Sequence, residues 1–197
     1  TLDEIAGNDK ARGILRTLVA RPFASAFLLK GASGLGKTSA ALAVARALSS
    51  DMDTLQANGH DVTADWVRET WRTLGLYPWV PGRWRVLVVD EADRMTRAAQ
   101  GLMLSALEEI PPRAVVLFTS NDAGDFEDRF LSRLKVLHFT SQGMAAAGAA
   151  RLVEIARAEG IPLDDKRALA LMREAGNNVR TAVQALELES MARTEAA

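Results

Sequence analysis

The sequence predicts a parallel α/β sheet followed by a small helical lid, on three observations. A glycine-rich stretch, Gly31-Ala32-Ser33-Gly34-Leu35-Gly36-Lys37-Thr38, stands between a short apolar run and an alanine-rich one. Apolar runs of strand length alternate with helix-length segments as far as Thr140, the pattern of a parallel sheet with crossover helices. Beyond Thr140 the strand pattern stops and only helical stretches remain.

Leu2 to Val19 opens with a turn around Gly7, and Ile14, Leu15, Leu18 and Val19 then recur at helical spacing. A helix is therefore expected beside the glycine-rich loop. Phe27-Leu28-Leu29, apolar and bounded by Gly31, reads as a buried parallel strand. Ser39 to Leu48 is rich in alanine and reads as a helix. Thr54 to Asn58 is a short strand, Asp65 to Leu74 a helix, and Trp79 to Trp84, with Pro78 and Pro81, a loop. Val86-Leu87-Val88-Val89 is a central strand that runs straight into Asp90 and Glu91. A helix from about Arg97 to Glu109 is stopped by Pro111 and Pro112. Ala114 to Thr119 is another buried strand, Asp125 to Arg133 a short helix, and Lys135 to Phe139 the last strand. Met144 to Glu159, Asp164 to Ala175 and Asn178 to Met191 are helices separated by Gly-Ile-Pro and Gly-Asn-Asn breaks. The boundary between sheet and lid falls near Ser141 and Gln142.

The 197 residues suffice for one sizeable domain and a small one, and 48% hydrophobic with 25% charged residues is ordinary for a soluble globular protein. No apolar run approaches the roughly 18 residues that span a bilayer, and no secretion signal opens the chain, so a cytoplasmic location away from membranes is expected. Zero cysteines exclude disulfides and thiolate metal sites, and two distant histidines argue against a histidine site. A net charge of −1 excludes a surface coated in positive charge, so any DNA contact must be local.

Residues 31 to 38 match G-x-x-x-x-G-K-[ST] at every fixed position, in the strand-to-helix setting that gives this P-loop pattern its meaning. Glycines let the backbone turn tightly enough to aim several N–H groups at phosphate oxygens, and the start of the following helix adds to the field. Gly31, Ala32, Ser33, Gly34, Leu35, Gly36, Lys37, Thr38 and Ser39 are thus the expected nucleotide cradle. Lys37 would reach the β and γ phosphates, and Thr38 would put its hydroxyl on Mg²⁺, which takes few protein oxygens. Asp90 at the end of its strand is the second expected Mg²⁺ residue, and Glu91 beside it would polarise the attacking water. A bare glycine-rich turn or an acidic strand end is the bland alternative to each motif taken alone.

Asp90-Glu91-Ala92-Asp93-Arg94-Met95-Thr96, Ala99-Gln100, Leu107-Glu108-Glu109, Phe118-Thr119-Ser120-Asn121, Leu131-Ser132-Arg133 and Gly176-Asn177-Asn178-Val179-Arg180 together resemble the AAA+ motor subunits of sliding-clamp loaders. The resemblance covers nearly the whole chain. It implies a AAA+ P-loop NTPase α/β domain over residues 1–140 and a three-helix lid domain over 141–197, with ATP and Mg²⁺ as ligands. Asn121 then looks like sensor 1, an amide near the attacking water, and Arg180 like sensor 2, reaching the γ-phosphate from the lid. Arg133 matches the arginine that enters a neighbouring subunit's site, with Leu134 where many relatives carry cysteine; Arg129 stays open as its rival. Asn58 corresponds to a polar residue that can hold the catalytic glutamate inactive.

The resemblance also implies partners: further clamp-loader subunits in a homo- or hetero-oligomer, a sliding clamp and primer-template DNA. Arg94, Thr96 and Arg97 stand where such proteins track the DNA backbone, a contact that would be independent of sequence and sensitive to salt. Trp66, Trp71, Tyr77, Trp79 and Trp84 crowd the segment that docks on the clamp in that family, and either an interface or a local aromatic core accounts for them. The chain ends just after the lid, without the collar domain of such subunits. A fragment, a minimal form and a different mode of assembly therefore stay open, as do a helicase-loader-type remodeller and a nucleotide-gated scaffold.

Overall fold

The computed structural model describes residues 1–121 and 126–195. Five parallel strands, β1 (Ser25–Lys30), β2 (Thr54–Asn58), β3 (Arg85–Asp90), β4 (Ala114–Ser120) and β5 (Lys135–His138), form one sheet in the order β2-β3-β4-β1-β5. Helices α1 (Asp9–Ala20), α2 (Lys37–Leu48), α3 (Ala64–Leu74), α4 (Arg97–Leu107) and α5 (Asp128–Leu131) accompany the sheet, and α6 (Met144–Ala158), α7 (Asp165–Glu174) and α8 (Val179–Glu195) come after it.

Alternation along the strands sorts the core into two layers. Phe27, Leu29, Val86, Val88, Val115 and Leu117 pack on one side, against Leu15, Leu18 and Val44 of α1 and α2. Ala26, Leu28, Leu87, Val89, Val116 and Phe118 pack on the other, against Val67, Leu74, Met103 and Phe130. Successive side chains of a strand point to opposite faces, and covering both is what makes the three inner strands read as continuous apolar runs. Phe130 meets Phe118 edge-on with ring centroids 5.5 Å apart. A third cluster, Leu152, Leu171, Met172, Ala182 and Leu186, is built from α6, α7 and α8 alone. Val179 packs against both this cluster and the one on the α1–α2 side.

Helix starts carry local chemistry. Thr63, Thr96 and Asp164 cap α3, α4 and α7, accepting from the backbone N–H of Trp66, Ala99 and Arg167; such caps satisfy donors that the first turn leaves free. The P-loop helix begins at Lys37, not at Ser39 as its alanine-rich part suggests, because Gly36 takes the N-cap position at φ 86°, a left-handed conformation cheap only for glycine. The helix expected over 125–133 occupies Asp128–Leu131; its expected start at Asp125 lies outside the described residues.

The tryptophans divide. Trp66 and Trp71 pack against the α3–α4 side of the core and Trp84 against the other side, whereas Tyr77 and Trp79 are 89% and 72% exposed.

Candidate nucleotide site

Sheet order decides where the functional residues meet. β1 lies between β4 and β5, and β4 lies beside β3, so the loop after β1, the carboxylates at the end of β3 and Asn121 after β4 all emerge at the carboxyl edge of neighbouring strands. That edge is where open α/β sheets bind ligands. A cavity of about 440 Å³ opens there. Its lining includes Ser33, Gly34, Leu35, Gly36, Lys37, Thr38, Ser39, Asp90, Glu91, Asn121 and Arg180.

Lys37 is 6% exposed, and its ammonium donates to the carbonyls of Gly31 (2.6 Å) and Ala32 (2.8 Å) and to Asn121 Oδ1 (3.0 Å). Gly31 and Ala32 thus sit behind the cavity and steady the lysine. Burial pushes the Lys37 pKa below its ordinary value, the charge of Arg180 adds to that, and Asp90, Asp93 and Glu91 pull the other way.

Thr38 Oγ1 donates to Asp90 Oδ1 at 2.8 Å, and the Thr119 hydroxyl donates to the same oxygen. Thr119 Oγ1 in turn accepts from the Glu91 backbone N–H at 3.1 Å. One threonine therefore ties both carboxylate-bearing residues to β4. Asp90 and Thr38 offer a carboxylate and a hydroxyl side by side, the hard, sparse oxygen set that suits Mg²⁺ with its retained waters. No cluster of three His, Cys, Asp or Glu side chains fit to hold a metal occurs among the described residues.

Glu91 has a left-handed backbone (φ 50°, ψ 47°), which turns the chain sharply after β3. Its carboxylate pairs with Arg94 at 3.1 Å. Asn58 lies opposite Asp90 in the β2–β3 register, but its amide oxygen is engaged by His60 Nδ1 at 2.6 Å. Arg94 is thus the ion-pair partner of the Glu91 carboxylate.

Arg133 stands outside the cavity, exposed and paired with Glu108 at 2.9 Å beyond the end of α4. Arg129 is 83% exposed and lies 4.0 Å from Glu127. Neither arginine serves the cavity of its own chain.

The cavity is completed largely by residues outside the motifs. Ile5 and Ala6, from the segment before α1, and Met144, Ile155 and Val179, from α6 and α8, supply apolar lining. The segment before α1 is tied to the chain beyond β5 by Asn8, whose Oδ1 accepts from the Thr140 N–H at 2.8 Å, and by the Glu4–Arg151 pair at 3.6 Å. Asn178, the residue before α8, donates from Nδ2 to the Ser33 carbonyl at 3.1 Å and accepts the Thr181 N–H on Oδ1. A side chain on Gly34 would meet that amide at 1.9 Å, so the close approach requires glycine. Ile5, Ala6, Met144 and Ile155 had no sequence signal beyond their apolar character, whereas Asn178 and Val179 lie within the Gly176–Arg180 stretch that carried the family resemblance. The lining offers polar and cationic groups for phosphates and an apolar portion for a flat base, the composition of a nucleotide pocket.

Comparison with known proteins agrees with this architecture. Residues 44–143, about half of the chain, match the family model described as DNA polymerase III, delta subunit. The replication factor C small subunit of Haloarcula marismortui is 28% identical over 97% of this chain, and that of Thermofilum pendens 31% identical over 96%. The chain spans about 60% of the length of these curated relatives. Among solved structures, the Thermotoga maritima RuvB Holliday junction branch migration motor superposes with a TM-score of 0.75 at 21% identity, covering 95% of this chain and 63% of RuvB. That last likeness establishes the fold, a parallel five-stranded α/β sheet with a helical segment after it. The match over the central half of the chain gives the family: this chain belongs to the DNA polymerase III delta subunit family.

Proposed function

We propose that the chain is an ATP-hydrolysing AAA+ subunit of a clamp loader, which assembles with like subunits to place a sliding clamp on primed DNA during replication. The observation that carries the reading is the meeting of Lys37, Thr38, Asp90, Glu91, Asn121 and Arg180 around one cavity, with Arg133 outside it. In this reading residues 1–140 form the nucleotide-binding domain and 141–197 the lid, which has a core of its own.

The phosphates lie on the N–H groups of the 31–38 loop and the start of α2, and the Lys37 ammonium exchanges its carbonyl contacts for phosphate oxygens. Thr38 and Asp90 would hold Mg²⁺, which would supply neutralisation of charge on the phosphates. Glu91, released from Arg94, accepts a proton from the attacking water, and Asn121 orients that water through its amide. Arg180 reaches the γ-phosphate from α8, so the lid's angle reports on the nucleotide. In this reading Arg133 is the trans arginine, on the resemblance of Leu131-Ser132-Arg133 to the loader motif; it and Arg129 both stand outside the cavity of their own chain. Arg133 would stabilise charge on the transferring group in the adjacent subunit.

The exposed Tyr77 and Trp79 are the clamp-docking anchors in this account, and Arg94, Thr96 and Arg97, exposed at the start of α4, follow the DNA backbone. Among the described residues no helix is long and apolar enough to cross a membrane. The test is steady-state ATP hydrolysis with a sliding clamp and primer-template DNA, added singly and together. Joint stimulation well above either alone is expected; a rate indifferent to both would overturn the proposal.

A further inference from the structure

Leu76, Tyr77, Trp79 and Val80 are 59%, 89%, 72% and 43% exposed, four large apolar side chains within five residues. Left to itself such a segment would collapse onto the nearest apolar surface, because burying it is favourable at about 25 cal/mol per Å². Here the backbone is fastened from below. Asp53, fully buried, accepts the Trp79 N–H on both carboxylate oxygens (2.9 and 3.1 Å), the Ser50 hydroxyl at 2.6 Å, and the Val80 N–H. Arg85, 3% exposed at the start of β3, donates to the carbonyls of Leu76 (3.0 Å) and Tyr77 (3.1 Å) and lies 3.4 Å from Asp53. The segment's ends are held as well: Leu76 N–H donates to the Thr73 carbonyl at the end of α3, and Arg83 N–H to the Val80 carbonyl.

A buried ion pair is a poor way to gain stability, since desolvating two charges costs about as much as their attraction returns. Its geometry is more informative than its energy. The hydrogen bonds that the pair makes to the loop all go to backbone, none to the four exposed side chains, so the pair fixes the shape of the loop and leaves its apolar side chains outside. We infer that Asp53 and Arg85 are positioning residues that pre-form loop 76–80 as an apolar knob for a pocket on the sliding clamp. The inference rests on the clamp-loader reading for the identity of the partner. Its energetic content is that ordering of the loop is completed on folding rather than at binding, where each ordered side chain would otherwise weaken affinity by about two- to tenfold.

The experiment compares wild type with Asp53→Asn, Ser50→Ala and Trp79→Ala by amide hydrogen exchange at residues 79 and 80 and by affinity for the sliding clamp of the source organism. Asp53→Asn should speed exchange at residues 79 and 80 by about tenfold or more, with exchange across β1 and β4 unchanged. It should also weaken clamp binding although all four apolar side chains remain. Ser50→Ala, which keeps both charges, should move both readouts the same way and less. Trp79→Ala should remove clamp binding while leaving exchange at Val80 as in wild type. Unchanged exchange in both Asp53→Asn and Ser50→Ala overturns the positioning role. Clamp binding lost in Trp79→Ala but intact in Asp53→Asn also overturns it and leaves the docking reading standing. Fast exchange in Asp53→Asn with no clamp binding even by wild type refutes the docking reading, and the inferred purpose of the loop with it.

Discussion

Replacing Asn178 by serine separates two jobs that this residue performs at once. Its Oδ1 caps α8 through the Thr181 N–H at 3.2 Å, and its Nδ2 ties the lid to the Ser33 carbonyl of the P-loop at 3.1 Å. Serine is as good an N-cap as asparagine, so helix α8 should survive. Its shorter side chain lacks the amide that reaches Ser33, so the tie is lost. A side chain–backbone hydrogen bond of this kind contributes about 0.5–1.5 kcal/mol net. The closed arrangement of P-loop, Val179 and Arg180 around the cavity should weaken by that amount, which predicts about a two- to twelvefold loss of ATP affinity. ADP should lose less if, as proposed, Arg180 addresses the γ-phosphate. Asn178→Asp keeps the cap, removes the donor and adds negative charge beside the phosphate loop, so its loss should be larger. The assay is a fluorescent-nucleotide titration with ATP and ADP, paired with thermal unfolding of each variant. ATP affinity unchanged in the serine variant, or lost only in proportion to a fallen Tm, would refute the role of the tie.

The remaining expectations concern charges. Arg94→Ala removes the exposed partner of Glu91, and since such pairs contribute about 0.2–1 kcal/mol, basal hydrolysis without DNA should rise by up to about fivefold in a steady-state assay; a fall would mean that Arg94 assists rather than restrains the glutamate. Asp53 gives a pH signature. Burial works against its charge, but the Ser50 hydroxyl, the Trp79 and Val80 N–H groups and Arg85 outweigh this and hold its pKa below the ordinary carboxylate value. Its contribution is therefore complete above the unfolded-state pKa and disappears as pH falls through the lower folded value. The Tm difference between wild type and Asp53→Asn should be constant at neutral and mildly acidic pH and shrink only below the ordinary carboxylate range; a difference that shrinks already near pH 6 would contradict the assignment.

What the sequence made legible was whatever lies in one contiguous run. The 31–38 loop works as a local structure, with Gly36 adopting φ 86° within the motif itself, so its pattern could be read without the rest of the molecule. The run of Val86 to Val89 into Asp90 was equally readable, because a strand buried on both faces has no polar position to interrupt it. The apolar lining was not, since Ile5, Ile155 and Val179 come together only when three distant segments close on one another. The same holds for Arg94, which looks like a surface arginine at a helix start until the left-handed turn at Glu91 brings the two together at 3.1 Å. Composition could not divide the aromatic cluster either. Trp71 finds a core and the Glu109 carbonyl at 3.4 Å, while Trp79, eight residues on, is held outward by a buried aspartate that sequence presents as an ordinary acidic turn residue.

The central claim is that the cavity hydrolyses ATP with Glu91 from one subunit and Arg133 from the next, and mixing two inactive variants tests it most directly. Glu91→Gln lacks the base but still offers its arginine, whereas Arg133→Ala keeps a complete cavity and offers none. With clamp and primed DNA present, each variant alone should hydrolyse ATP slowly, the arginine loss alone costing about 10³-fold or more. An equimolar mixture should recover about a quarter of the wild-type rate, the share of interfaces that pair an intact Glu91 with an intact Arg133 when subunits assemble at random. A mixture no faster than its parts, or Arg133→Ala as active alone as wild type, would contradict the account.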